Sequence, residues 1–74
     1  MTKQEYLTLW GYLDILEQDY KRRLINAQGR ASEATTPEDR ERFERLSTDY
    51  TTRGNELREL KSKVQFEADH ASGD

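Results

Sequence analysis

Carboxylates are numerous in this sequence, but they occur as helix-surface pairs with basic side chains and not as an isolated acid pair in a pocket. His70 is the only histidine, and it lies close to Glu67 and Asp69. A metal site or a general base would need a second ligand or an ordering residue, and the neighbouring sequence specifies neither. Ser47 and Ser62 lack the histidine that a catalytic triad requires. We therefore expect no catalytic residue, no metal site, no cofactor and no enzymatic activity.

Charge is distributed unevenly along the chain. Residues 21–45 hold seven basic and five acidic side chains, a local charge of +2, whereas the remainder holds five and ten, a local charge of −5. The basic stretch is the only candidate for contact with phosphate or with an acidic partner. Its interleaved glutamates weaken the attraction to a polyanion, so nucleic acid is a less favoured partner than protein. The candidate contacts are Arg22, Arg23, Arg30 and Arg40.

Two helix starts are marked by local residue patterns. Thr2 and Glu5 have the spacing of a capping box, and Thr36 followed by Pro37 combines a capping hydroxyl with proline at the first helical position. Gly29 can take the left-handed position after a helix end. The sequence therefore predicts a single domain with a helix over about 3–28, a loop over about 29–36, a helix over about 37–68 and a frayed tail over 69–74.

Apolar residues follow the alternating three-and-four spacing of a heptad seam in both predicted helices. We expect an all-α, antiparallel, coiled-coil-like hairpin, in which Tyr20 lies near Leu46 and Trp10 near Leu57. Arg53 and Gly54 interrupt the second seam, so Gly54 is either a tolerated defect or a place where a bulky residue such as Leu13 approaches the backbone. The predicted core seam consists of Tyr6, Leu9, Leu13, Leu16, Tyr20, Leu24, Phe43, Leu46, Tyr50, Leu57, Leu60 and Val64.

Size and composition limit what such a hairpin can bury. A chain of 74 residues with 32% hydrophobic and 36% charged side chains cannot enclose a sizeable core by itself. It contains no cysteine, so there is no sign of an oxidising compartment, and we expect a cytoplasmic protein. No run of about 20 apolar residues is present, and we expect no membrane partner.

Large side chains outside the seam predict association. The first helix is apolar over most of its circumference, and leaving such side chains in water forgoes about 1.5 to 3 kcal/mol for each one. The simplest product is a homodimer that forms a four-helix bundle. The same face could instead bind another protein, or the chain could be a coiled-coil piece of a larger assembly. The candidate interface residues are Leu7, Trp10, Tyr12, Ile15, Ile25 and Phe66.

The opening residues, Met1 to Glu5, read MTKQE, and with the two-helix pattern they resemble the Rop family of plasmid copy-number regulators. That resemblance implies an RNA-binding dimer of helical hairpins, with Lys3 and Gln18 in two of the positions that hold RNA. Trp10, Asp14 and Ile25 depart from the family pattern. The leading prediction is therefore a non-enzymatic accessory or inhibitor protein that binds another protein, and a Rop-like RNA-binding dimer is the alternative.

Overall fold

The computed structural model describes residues 1–71, which form two α-helices packed side by side in opposite directions. Helix α1 spans Lys3–Glu33 and helix α2 spans Pro37–His70. The predicted all-α two-helix hairpin is confirmed. Its Cα atoms extend over 57 × 14 × 12 Å, and neither helix contains a stretch long and apolar enough to cross a bilayer.

Both predicted helix starts are confirmed by their caps. The Thr2 hydroxyl accepts a hydrogen bond from the Glu5 amide at 3.2 Å, and the Glu5 carboxylate accepts one from the Thr2 amide at 3.0 Å. At the start of α2 the Thr36 hydroxyl accepts from the Asp39 amide at 3.2 Å, and Pro37 occupies the first helical position. These bonds satisfy amides that the first turn of a helix leaves without partners.

The predicted end of α1 is wrong. The helix passes through Gly29 and continues to Glu33, so the connection is only residues 34–36. Gly29 does not adopt the left-handed conformation, and a Cβ at this position would meet no atom within 4 Å. A glycine inside a helix costs only about 1 kcal/mol, which the continuing helix can outweigh. Helix α2 likewise runs two residues beyond the predicted Ala68; of the predicted frayed tail, residues 72–74 lie outside the described residues.

The longer α1 moves the turn and shifts the pairing of the helices by about one helical turn. Tyr20 lies against Tyr50, with ring centroids 6.1 Å apart, where the sequence predicted Leu46. Trp10 lies under the Lys61 ammonium at 4.6 Å, where the sequence predicted Leu57. Both contacts are displaced by four residues along α2, close to the five residues by which the loop is shorter than predicted.

The inner faces of both helices follow heptad lines that differ in part from the predicted seam. Residues spaced alternately four and three apart are shielded from solvent. The sequence predicted Leu9, Leu46 and Leu60 in the core seam, but they are 36%, 36% and 47% exposed. The positions on these lines are Phe43, Ser47, Tyr50, Gly54, Leu57, Lys61, Val64 and Ala68 on α2, and Tyr6, Trp10, Leu13, Glu17, Tyr20, Leu24, Ala27 and Ala31 on α1.

Gly54 belongs to this inner face but is not a point of close backbone approach. A Cβ built on Gly54 would meet no atom within 4 Å. The glycine lines an open groove of about 250 Å³ together with Tyr20, Leu24 and Tyr50. The alternative in which Leu13 or another bulky side chain packs on this glycine is therefore wrong.

Hydroxyl side chains occupy the middle of α2, just before Gly54. Ser47 and Thr51 donate to the carbonyl oxygens of Phe43 and Ser47 at 3.0 and 2.9 Å. Thr48 and Thr52 make the same type of bond to residues four positions earlier. Such bonds share backbone acceptors with the helix and tend to bend it.

Candidate interaction surface

The hairpin has two unlike sides, one charged and one apolar. Side chains seven residues apart lie on nearly the same line of a helix. On α1, Asp14 and Lys21 form one line and Leu9 and Leu16 form another, with the inner face between them. The lines of α2 divide in the same way, since Arg58 lies on one flank of the inner face and the line of Leu46, Arg53 and Leu60 lies on the other.

The charged side is organised around Lys61. Its ammonium donates to Asp14 Oδ1 at 2.6 Å and to Glu17 Oε1 at 2.9 Å. Glu17 also pairs with Lys21 at 3.2 Å and with Arg58 at 3.7 Å. The Glu17 residue is only 3% exposed, and no buried side-chain nitrogen or oxygen within residues 1–71 lacks a hydrogen-bond partner. Because Glu17 is shielded and surrounded by three cations, this cluster joins the helices by more than a surface ion pair would.

The cluster shifts the pKa values of its members. The hydrogen bond from Lys61 is the main cause that lowers the pKa of the Asp14 and Glu17 carboxyls below their ordinary values, against the opposing effect of desolvation. The hydrogen bonds to Asp14 and then to Glu17 raise the pKa of Lys61 above its ordinary value. All three groups are therefore held in their charged forms by the fold.

Stability should decline at both ends of the pH scale because of these shifts. Lowered carboxyl pKa values give stability that is present above the ordinary pKa, about 4, and is lost as the pH falls through the folded-state pKa. The raised pKa of Lys61 gives stability that is present below about pH 10.5 and is lost at higher pH. Thermal unfolding followed by circular dichroism at fixed protein concentration would measure both limbs.

The matched control for this pH dependence is the double variant Asp14→Asn/Glu17→Gln, which removes both carboxyl charges and keeps the side-chain shapes. Its acid limb should be shallower than that of the natural chain, because fewer groups with lowered pKa remain to be protonated. An unchanged acid limb would contradict the assignment of the pKa shifts to this cluster.

The apolar side is a groove bordered by Leu9 and Leu16 on α1 and by Leu46 and Leu60 on α2; we call it the open face. Leu9, Leu46 and Leu60 are exposed, and Leu16 is half-buried. Arg53 crosses the middle of this side, where its guanidinium Nε lies 3.4 Å from Asp49 Oδ2. The open face is therefore apolar at its four leucines, with a paired charge at Arg53, and toward the loop its α1 line continues through Arg23 and Arg30.

The candidate interface residues are distributed around the hairpin. Trp10 lies on the inner face beneath Lys61. Leu7 and Ile25 follow the line of Asp14 on the charged side, and they are 40% and 68% exposed. The remaining three are well exposed, with Tyr12 beside the open face, Ile15 on the outer surface of α1, and Phe66 stacked on His70 at 4.1 Å between ring centroids.

The candidate arginine contacts are engaged in part. Arg22 and Arg23 pair with Asp19 at 3.7 and 3.0 Å. The Arg30 guanidinium lies 5.9 Å from the Phe43 ring centroid, a cation–π distance. Arg40 is exposed beside the loop, in a groove that Pro37 and Glu44 also line.

The sequence did not predict the cluster of Asp14, Glu17 and Lys61. Two observations together would have predicted the cluster. One is the pair of acids three residues apart on the inner side of α1, and the other is the correct pairing of the helices. Within residues 1–71 no three histidine, cysteine, aspartate or glutamate side chains are placed to hold a metal ion. No family model, curated protein or solved structure matches this chain.

Proposed function

We propose that this chain is a non-enzymatic protein-interaction module that works through its open face. The observation that supports the proposal is the exposure of Leu9, Leu46 and Leu60 along one side while no large side chain is fully buried. Covering each such side chain would contribute about 1.5 to 3 kcal/mol. The other side of the hairpin carries the charged cluster of Lys61, Asp14 and Glu17.

In this proposal the hairpin first pairs with another copy of itself to form a four-helix bundle. Bundles of this kind bury a stripe on each helix that a lone hairpin leaves half covered. The homodimer leaves Ile15, Ile25 and Phe66 exposed, and these side chains are the proposed contacts for a protein target of an accessory or inhibitor protein. We place the protein in the cytoplasm, because a cysteine-free chain needs no oxidising compartment.

The variant Leu60→Glu tests the open face directly. It puts a carboxylate where the proposed interface is dry, so the dissociation constant of the dimer should rise by at least about 100-fold. Sedimentation or light scattering across a dilution series measures the change. Ile15→Glu is the matched control, since Ile15 is 65% exposed on the outer surface and its replacement should leave the dimer intact.

Two results of this experiment would contradict the proposal. One is a natural chain that stays monomeric and cooperatively folded at micromolar concentration. The other is an equal effect of Leu60→Glu and Ile15→Glu. Open-ended oligomers in place of a closed dimer would instead favour a structural coiled-coil role within a larger assembly.

An RNA-binding dimer is the second candidate function, and one observation favours it. Near the loop, Arg23 and Arg30 line a groove of about 170 Å³ with the aromatic residues Phe43 and Tyr50. Cations beside aromatic rings are suited to phosphates and unpaired bases. The candidate requires retention of structured RNA at low salt, with affinity that falls steeply as salt rises. Absence of binding at low salt would remove it.

A further inference from the structure

We propose that the groove beside Gly54 binds an aromatic side chain of the protein target, and that Lys21 and Arg58 at its edge bind an acidic residue next to that side chain. The groove lies on the charged side of the hairpin, so a dimer formed through the open face leaves it accessible. Ile25, a target contact in the proposed function, lies one helical turn from Lys21 and is 68% exposed. This inference rests on the proposed function in taking the occupant to be part of a protein.

The groove exists because α2 has no side chain at Gly54, on its inner face. In a heptad interface a residue at such a position inserts its side chain between residues of the facing helix. Here a Cβ would meet no atom within 4 Å, and about 250 Å³ stays open at this level of the hairpin. An apolar cavity of about 150 Å³ can hold a benzene molecule, so a phenyl ring from outside the hairpin fits the space that Gly54 leaves.

The apolar part of the lining suits an aromatic ring. Tyr20, Leu24 and Tyr50 line the groove and are half-buried, and the two tyrosine ring centroids lie 6.1 Å apart. A third ring beside these tyrosines gains from edge-to-face or offset contacts in addition to the burial of its apolar surface. The occupant of the groove should therefore be a phenylalanine or tyrosine side chain of the target.

The charged part of the lining suits a carboxylate next to that ring. Lys21 and Arg58 line the groove and are exposed. Within residues 1–71, Glu17 is the only acidic side chain in the lining, and it already accepts a hydrogen bond from Lys61. The Arg58 guanidinium lies 3.7 Å from Glu17, which is beyond hydrogen-bond distance. Arg58 therefore has donors that a carboxylate of the target can engage.

The balance of charge beside the groove also favours an anion. Three cations and two carboxylates form the charged cluster, which leaves a net charge of +1; the members are Lys21, Arg58, Lys61, Asp14 and Glu17. An acidic residue of the target is attracted to this excess, whereas a lysine or arginine in the same place is repelled. The charge of the residue beside the aromatic side chain should therefore decide whether a segment binds.

Two blocked dipeptides test this preference on the natural chain. Acetyl-Phe-Asp-amide carries the proposed pair of side chains, and acetyl-Phe-Lys-amide is the control of opposite charge. In a titration followed by the amide resonances of the labelled protein, the acidic peptide should bind with a dissociation constant on the order of 1 mM. The basic peptide should bind at least about tenfold more weakly. The resonances that shift should be those of Thr51, Gly54 and Asn55.

The variant Gly54→Leu tests the apolar part of the site. Its leucine side chain should fill the groove and weaken binding of the acidic peptide at least about tenfold, because the phenyl ring then has no space. Gly29→Leu is the matched control, since Gly29 is also a glycine within a helix whose Cβ would meet no atom within 4 Å. It lies outside the groove, so binding should stay as in the natural chain.

The variant Arg58→Gln tests the charged part independently. It should weaken binding of the acidic peptide about fivefold, because a charge-assisted hydrogen bond to the carboxylate is lost. Arg45→Gln is the matched control: Arg45 is also exposed on α2, but it pairs with Glu41 at 2.6 Å and lies outside the groove. Its replacement should leave the affinity for the peptide unchanged.

A nucleotide also combines an aromatic ring with an anion, so uridine monophosphate is the third probe. Tighter binding of uridine monophosphate than of the acidic peptide would overturn the inference and would favour RNA as the occupant. Equal affinity for the two peptides, absence of binding at about 10 mM, or undiminished binding to Gly54→Leu would also overturn it. Preference for the acidic peptide that both groove variants reduce and both controls preserve would support it.

These results are separate from the test of the dimer. Loss of peptide binding with an intact dimer would overturn the groove as a target site and leave the open face as the interface between copies. A natural chain that is monomeric yet binds the acidic peptide at Gly54 would support the groove and contradict the dimer.

Discussion

Replacing Lys61 with methionine should lower the free energy of unfolding by about 3 kcal/mol, the largest loss expected from a single substitution in this chain. Methionine keeps an apolar side chain at this position but removes the ammonium that bonds to Asp14 and Glu17 at 2.6 and 2.9 Å and lies 4.6 Å from the Trp10 ring centroid. Glu17 then stays shielded with only Lys21 and Arg58 as partners. Urea unfolding at neutral pH and fixed protein concentration measures the change.

Two further variants separate loss of the ion pair from loss of packing. Lys63→Met is the matched control, because Lys63 lies two residues along on an exposed position and its replacement should change stability by less than about 0.5 kcal/mol. Glu17→Met/Lys61→Met should recover most of the loss, since replacing both members of a shielded pair by apolar residues is often neutral. Equal stability of Lys61→Met and Lys63→Met would contradict the role given to the cluster.

The second large effect is a gain in stability. Gly54→Ala and Gly29→Ala should each raise the free energy of unfolding by about 1 kcal/mol, and together by about 2 kcal/mol. Both glycines lie inside helices, and neither would bring a Cβ within 4 Å of another atom. The alanine lowers the conformational entropy of the unfolded chain without strain in the folded one.

Comparison of the two alanine variants makes this test specific. Gly29 is exposed, so Gly29→Ala measures helix propensity alone, whereas Gly54 lies on the inner face of α2. Equal gains in urea unfolding would agree with an open groove at Gly54. A loss of stability in Gly54→Ala alone would contradict that geometry and would indicate that the helices come closer there.

Local residue patterns predicted where each helix starts, whereas the pairing of the helices depended on where α1 ends. The capping bonds of Thr2 and Thr36 involve residues within one turn, so their patterns are readable in the sequence. The end of α1 was missed because Gly29 can either stop a helix or lie within one. That five-residue error moved the turn and displaced the contacts of Tyr20 and Trp10 along α2.

The predicted seam differed from the observed inner face because leucines also lie on the line next to that face on each helix. Leucines at positions 9, 16, 46 and 60 are the stronger hydrophobic pattern, so sequence reasoning placed them inward. The structure instead turns Ser47, Gly54 and Lys61 toward α1. The contact between Lys61 and Glu17 depends both on the later end of α1 and on which faces of the helices point inward. The spacing of residues along either helix alone therefore did not predict it.

The bonds from Ser47, Thr48, Thr51 and Thr52 back to the preceding turn have a mechanical consequence. A carbonyl oxygen that also accepts a side-chain hydrogen bond can tilt away from the helix axis and still keep a bonding partner. A helix can therefore curve at low energetic cost where several such carbonyls lie together. The last of these hydroxyl residues, Thr52, lies two positions before Gly54, which has no side chain to hinder bending. The centre of α2 is therefore the place where the hairpin can change its curvature to follow a neighbouring helix, while the two capped starts keep their shape.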